Sequence, residues 1–168
     1  MFNLVEGTRL GATVTAFAKA KVATNRFAKG LCTLALVFLT IGQPLSARTV
    51  IDNDPGGPIE QRLQQIKRLR SEGAKVEIRG FCASSCTMLI GLPNACVRPG
   101  SRLGFHGPSS AIYGLGLPPD EFDYWSRIMA NHYPNRMRSW FMSSARNELL
   151  GLHTISGRDA IKMGARPC

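Results

Sequence analysis

Residues 75–92 read Lys75-Val-Glu-Ile-Arg-Gly-Phe-Cys-Ala-Ser-Ser-Cys-Thr-Met-Leu-Ile-Gly-Leu92, and the pattern changes twice along this stretch. Polar and apolar residues alternate over Lys75–Arg79, which predicts a strand. The small residues of Gly80–Cys86 predict a turn, and Thr87–Leu92 predicts a short buried helix. A serine on such a turn presents its hydroxyl above the sheet, near the positive end of the helix. Ser84 is therefore a candidate nucleophile, with helix capping as the alternative role.

The rest of residues 48–168 continues this alternation of strands and helices. Apolar residues recur at helical spacing between residues 59 and 69, after a predicted strand and before Lys75–Arg79. The other strands are predicted at Thr49–Ile51, Ala95–Val97 and Arg102–His106, and further helices follow Pro119, Asn135 and Ser156. This order predicts a single α/β domain with a largely parallel sheet and a helical C-terminal part.

Two further features stand near the predicted carboxyl ends of strands. Asp54-Pro-Gly-Gly57 follows the first strand, and its glycines allow the backbone N–H groups to approach an oxyanion. The alternative is an ordinary Pro-Gly-Gly turn. His106 ends a later strand, at the sheet edge where sites cluster in α/β folds, although a single histidine is also common as a structural residue.

Four segments, taken together, resemble the proteolytic subunit of the Clp protease. They are Asn53-Asp-Pro-Gly-Gly-Pro-Ile59, Gly80-Phe-Cys-Ala-Ser-Ser85, Pro99-Gly-Ser-Arg-Leu-Gly-Phe-His-Gly-Pro108 and Ser156-Gly-Arg-Asp-Ala-Ile-Lys-Met-Gly-Ala165. Their order and approximate spacing also match, from about Val50 to Ala165. The resemblance implies the ClpP/crotonase-like fold, a β-α-β superhelix.

The resemblance also implies roles for four residues. Ser84 takes the position of the nucleophile and His106 that of the general base. The backbone N–H groups of Gly57 and Ser85 take the positions of the oxyanion hole. Such a set would transfer the serine proton to the histidine while two donors stabilise the tetrahedral intermediate.

The chain departs from the family at the third catalytic residue. Leu152 stands where the Clp family carries its aspartate, four residues before the serine of the closing helix. Asp159 lies nearby, but a capping box with Ser156 explains it better. The other acids that could substitute from the inserted helices are Asp120, Asp123 and Glu148. The departure leaves open a slow enzyme, a Ser-His dyad or an inactive relative.

The first 47 residues predict a secretory leader. A basic stretch over residues 1–29 precedes the apolar run Gly30–Gly42, and small residues end at Ala47. We expect a signal peptide or signal anchor at 1–47 and a ClpP-like domain at 48–168; a buried core helix is the alternative. Of the net charge of +10, four charges belong to the leader. The basic run Gln61–Arg70 has no interleaved aromatic residue and is interpreted as the solvated face of a helix.

Four cysteines remain after the leader: Cys82, Cys86, Cys96 and Cys168. In an oxidising compartment they predict two disulfides, with three possible pairings. A zinc site is the alternative, although the spacing of the first two cysteines is loose for zinc. The expected location is periplasmic or secreted, or anchored to the membrane where the leader stays uncleaved.

These observations predict an exported serine hydrolase, a peptidase acting on peptide or protein substrates. The alternative is a catalytically weak or inactive relative that binds peptides or partner proteins in the same groove. An acyl-thioester enzyme of the crotonase type and a basic nucleic-acid binder are less favoured. We expect no cofactor, no metal and no nucleic-acid partner, and we leave a membrane tether and a homo-oligomer open.

Overall fold

The computed structural model describes residues 48–110 and 115–168, so the predicted leader at 1–47 lies outside the described residues. Five strands, four α-helices and two 3₁₀ segments make up these two ranges. The strands are β1 (Arg48–Asp54), β2 (Lys75–Ala83), β3 (Ala95–Val97), β4 (Arg102–Phe105) and β5 (His153–Ser156). The α-helices are α1 (Ile59–Ser71), α2 (Pro119–Ala130), α3 (Asn135–Ser143) and α4 (Gly157–Lys162), and the 3₁₀ segments are Ser84–Gly91 and Ala145–Asn147.

The five strands form one sheet in which β2 pairs with three parallel neighbours. β1 lies along one side of β2, while β3 and β4 pair with successive parts of its other side. β5 closes the far edge and runs antiparallel to β4. The predicted α/β class with a largely parallel sheet is confirmed. Because β1, β2 and β4 are parallel, their carboxyl ends lie at the same edge of the sheet.

Two elements differ from the sequence-based expectation. The segment after β2 is a 3₁₀ helix that begins at Ser84, and its first turn is closed by the Cys82–Cys86 disulfide. The predicted helical C-terminal part also contains β5, whose four residues are exposed apart from half-buried Ile155. This strand has little apolar pattern of its own. It forms because the edge of β4 offers backbone partners, which is a tertiary effect.

The residue before His106 is held by an aromatic cluster. Phe105 is fully buried, and its ring lies 5.6 Å from that of Tyr133, 5.1 Å from Trp140 and 6.5 Å from Phe141. These three rings come from α3 and from the turn before it. Edge-to-face aromatic packing of this kind fixes the end of β4 against the helical layer.

The four cysteines form two disulfides, Cys82–Cys86 and Cys96–Cys168. The first spans four residues around Ser84, and the second joins β3 to a residue 72 positions later. This pairing selects one of the three that the sequence left open, and it accounts for these cysteines without zinc. No helix in the two described ranges has the length and apolar character needed to cross a membrane.

Candidate active site

Three segments meet at the carboxyl edge of the parallel strands. β1 leads into Asp54–Gly57, β2 ends directly before Ser84, and β4 ends directly before His106. Gly57, Ser84 and His106 line the same cavity of about 620 Å³. Its other lining residues are mostly apolar or small: Pro55, Pro58, Ile59, Glu60, Pro108, Ser109, Ser110, Leu117, Glu121, Trp125 and Met129.

Ser84 has an unusual backbone conformation. Its φ angle is +55°. Within the described ranges, it is the only residue other than glycine with a positive φ. Left-handed backbone is unfavourable for a residue with a Cβ atom and persists where the surrounding structure enforces it. Such strain typifies a serine on a sharp strand-to-helix turn, and residue type alone does not predict it.

A buried hydrogen-bond chain holds the backbone of Ser84. The hydroxyl of Thr87 donates to the Ser84 carbonyl oxygen at 2.7 Å, and the hydroxyl oxygens of Thr87 and Tyr133 are also 2.7 Å apart. Since Thr87 has one hydroxyl proton and uses it on Ser84, Tyr133 donates to Thr87. Burial raises the pKa of Tyr133, so its hydroxyl stays protonated as this donor requires.

Gly56 lies directly against the candidate nucleophile. Its φ angle is +101°, and a Cβ atom built on it would lie 2.5 Å from Ser84 Cβ and 2.7 Å from the Ala83 carbonyl oxygen. Only glycine allows this approach. The Pro-Gly-Gly turn is therefore a close contact between the β1 loop and the β2 turn.

The ring of His106 is oriented by the backbone. Its Nδ1 atom lies 2.6 Å from the carbonyl oxygen of Gly107, which can only accept a hydrogen bond. Nδ1 therefore carries the proton in the neutral ring, and Nε2 is left as the acceptor. The Gly107 N–H in turn donates to the Glu148 carbonyl oxygen at 3.0 Å.

Among residues 48–110 and 115–168, no carboxylate makes a hydrogen bond to His106. Asp123 is paired with Arg127 and Arg146, and hydrogen bonds from Arg146 and Arg127 lower its pKa. The Glu148 carboxylate accepts the backbone N–H of Leu150 and Gly151. The expected cap is present, since Ser156 Oγ accepts the Asp159 N–H at 3.1 Å.

Leu152 directly precedes β5, the strand that pairs with β4. The last pair of the β4–β5 ladder joins Phe105 to His153, and one further step of this antiparallel register would set Leu152 opposite His106. A Cβ atom built on Gly104 would lie 3.0 Å from the Cδ1 atom of Leu152, so the Leu152 side chain covers this glycine. Residues 104 and 106 are two positions apart on one chain segment, so they face the same side of the sheet. Because Leu152 lies over residue 104, we expect its side chain to be on the same face as that of His106.

Ser85 and Arg62 form a second polar group, and both line a smaller cavity that Gly57 shares. Ser85 is almost fully buried, and its hydroxyl faces the Arg62 Nε at 3.5 Å. Arg62 is only 8% exposed and is bound to Asp54, so it is an exception to the predicted solvated face at Gln61–Arg70. The prediction is correct for Lys67, Arg68 and Arg70, which are exposed, and wrong for Arg62. The pattern of charges along a helix does not show that the fold supplies Arg62 with a buried partner.

The comparisons with known proteins point to one kind of fold. No protein-family model and no curated protein sequence matches the chain. Among solved structures, the chain is similar to the 1510-N membrane-bound stomatin-specific protease in a lysine-to-alanine variant with a bound substrate peptide, with a TM-score of 0.55 and 17% identity. A serine-to-alanine variant of that protease gives a TM-score of 0.53 and 18% identity.

The similarity extends over most of the described chain. In both comparisons 71% of this chain is covered, while it spans 58% and 62% of the two protease chains. Together with the parallel sheet and the strand-end site, this likeness confirms the fold that the sequence motifs predicted. The protein has the ClpP/crotonase-like α/β fold.

Proposed function

We propose that this protein is an exported serine hydrolase that cleaves peptide bonds, with Ser84 as nucleophile and His106 as general base. The observation that carries the proposal is the strained φ of Ser84 in a cavity that His106 and Gly57 also line. A structural cap would not need a left-handed backbone. A nucleophile on a sharp strand-to-helix turn does, because the strained turn lifts its hydroxyl out of the sheet.

The chemistry follows from the protonation of His106. Nε2, free of the proton, accepts the Ser84 hydroxyl proton as Oγ forms a bond to the scissile carbonyl carbon. The carbonyl oxygen becomes an oxyanion, which the N–H groups of Gly57 and Ser85 stabilise. The C–N bond then breaks, His106 returns the proton to the leaving amine, and water releases the acyl group by the reverse steps.

The cavity supports a peptide as substrate. Its walls include Leu117, Trp125 and Met129, which provide an apolar surface for a substrate side chain. A fold neighbour is a membrane-bound stomatin-specific protease whose structure holds a substrate peptide, which favours the same class of substrate here. Hydrolysis by this route uses no cofactor, metal or nucleic acid.

Export is part of the proposal. The two disulfides are compatible with an extracellular or periplasmic location. The leader at residues 1–47 would deliver the domain at 48–168 there, either released after cleavage or tethered through an uncleaved anchor.

The test is covalent labelling of the purified, oxidised protein with a fluorophosphonate, which forms a phosphonate ester on an activated serine and releases fluoride. We expect labelling that Ser84→Ala abolishes and His106→Ala weakens. A matched control is Ser109→Ala, another serine at the cavity, which should keep the label. Labelling that survives Ser84→Ala but is lost in Ser85→Ala would move the nucleophile to Ser85, and no labelling would contradict the hydrolase.

One observation favours a second candidate function. Leu152 provides no carboxylate beside His106, so the imidazolium formed during catalysis lacks a charged partner. A chain of this kind can bind peptides in the same cavity with little or no turnover. Peptide binding that is equal in the wild type and Ser84→Ala, without labelling of either, would support this candidate.

A further inference from the structure

Arg62 is a buried cation that lines a smaller cavity together with Gly57 and Ser85. It lies in the first turn of α1, and its Nη2 donates to both carboxylate oxygens of Asp54, at 3.0 and 2.7 Å. Its Nε faces the Ser85 hydroxyl at 3.5 Å. Taking a guanidinium out of water costs several kcal/mol unless a partner compensates for the loss. Asp54 is the partner that offsets this cost for Arg62. A solvated position on the same helix would avoid the cost altogether, which indicates that the buried ion pair has a role beyond stability.

The contacts of this ion pair reach both segments that carry the proposed oxyanion donors. Asp54 Oδ1 also accepts the Gly56 N–H at 2.8 Å, which fixes the loop directly before Gly57. Arg62 reaches Ser85, which follows the nucleophile on the other segment. The two donors are 28 positions apart in the sequence, and the guanidinium spans the gap between their segments.

We infer that Arg62 and Asp54 are positioning residues. They hold the backbone N–H groups of Gly57 and Ser85 at the relative positions that an oxyanion hole requires. This inference rests on the proposed function. An oxyanion hole works when its donors stand 2.7–3.1 Å from the place where the negative charge develops. Since a misplacement of about 1 Å can cost on the order of 100-fold in rate, a link between two separate loops has a direct effect on turnover.

The test compares Arg62→Gln with a control at a similar but exposed ion pair, which joins β2 to β1. Arg79 forms a similar ion pair with Asp52, through Nε and Nη2 at 2.7 Å each, but both side chains are more than half exposed. We expect Arg62→Gln to lower kcat by roughly 10- to 100-fold with KM unchanged. Arg79→Gln should leave both constants near those of the wild type.

A second measurement separates positioning from a purely structural role. A peptide boronic acid forms a tetrahedral adduct on Ser84 and sets an oxygen in the oxyanion hole, whereas KM reflects the unreacted substrate. We expect Arg62→Gln to weaken boronate binding by the same factor as kcat. A loss of kcat no larger than in Arg79→Gln, or a rise in KM alone, would overturn the inference.

Arg62→Lys tests the inference where Arg62→Gln fails to fold. A lysine keeps the charge beside Asp54, but its compact ammonium cannot reproduce the planar fork that reaches two partners. We expect kcat to stay low in this variant, and recovery of wild-type kcat would overturn the inference. Hydrolysis that survives Ser84→Ala would overturn the proposed function as well. Hydrolysis that depends on Ser84 but not on Arg62 would overturn only the positioning role.

Discussion

The Nδ1 atom of His106 donates to the carbonyl oxygen of Gly107 over 2.6 Å, where a Ser-His-Asp triad has a carboxylate. The carbonyl sets the tautomer and the orientation of the ring, which are two of the roles of a triad aspartate. It carries no full negative charge and therefore stabilises the imidazolium less. In the proposed mechanism, Ser84 and His106 would therefore act as a dyad whose histidine is oriented by a backbone carbonyl.

The first prediction is a gain of activity in Leu152→Asp. The β4–β5 ladder ends at the pair Phe105–His153, and continuing its register by one residue would set position 152 opposite His106. We therefore expect an aspartate there to add the missing negative charge. Where a triad acts as a unit, the acid can be worth about 10⁴ in kcat. Because Gly107 already sets the tautomer, we expect a smaller increase in kcat, of roughly 10-fold.

The control for this prediction is Leu152→Asn, which has almost the same shape without the charge. Steady-state hydrolysis of a peptide ester by both variants measures the effect. Leu152 is 41% exposed, so neither change should unfold the protein. Equal rates in the two variants would show that charge beside His106 does not limit turnover.

A methyl group on Gly56 should damage the site more than the fold. In Gly56→Ala the new Cβ would meet Ser84 Cβ at 2.5 Å and Ala83 O at 2.7 Å, in a backbone with positive φ. We expect fluorophosphonate labelling to fall at least tenfold and stability to drop by about 1–3 kcal/mol. Gly100→Ala is the control, since nothing lies within 4 Å of its added Cβ. Equal labelling of the two variants would contradict the close approach.

The two disulfides should contribute differently to stability and activity. Chain-entropy arguments give about 4 kcal/mol for the 72-residue separation of Cys96–Cys168 and about 2 kcal/mol for Cys82–Cys86. The short bridge flanks Ser84 on both sides. We therefore expect the Cys82→Ser/Cys86→Ser pair to lose most labelling, and the Cys96→Ser/Cys168→Ser pair to lose more stability. Denaturant unfolding beside labelling measures both, and the reverse ranking would contradict the assignment.

Protonation of Glu77 should lower the free energy of unfolding at acid pH. Hydrogen bonds from Arg48 and then Arg98 hold the pKa of this buried carboxylate below its ordinary value. A lowered folded pKa gives stability that is complete above the unfolded pKa of about 4.3 and is lost as pH falls through the folded value.

The measurement for this prediction is urea unfolding at several pH values. The stability difference between the wild type and Glu77→Gln should shrink as the pH is lowered below about 4.3. Glu72→Gln serves as the control, because Glu72 is exposed and lies 4.0 Å from Arg68. A wild-type advantage over Glu77→Gln that is constant with pH would contradict the role of the charge.

The features that the sequence determined by itself are those that depend on neighbours within a few residues. The alternation in β2, the helical spacing in α1 and the Ser156–Asp159 cap are each set by local backbone chemistry, and the structure confirms them. The fold class followed from the order of these elements, and the match to known motifs added the expected positions of Ser84 and His106.

Only the tertiary structure decided the contacts that join distant segments. The pairing of the cysteines, the addition of β5 to the edge of β4, the burial of Arg62 and the Gly107 carbonyl beside His106 have no signal in local pattern. Each depends on which groups the packed chain brings within hydrogen-bonding or bonding distance. Local propensity determines which elements form, but burial and long-range partners determine how a site is held together.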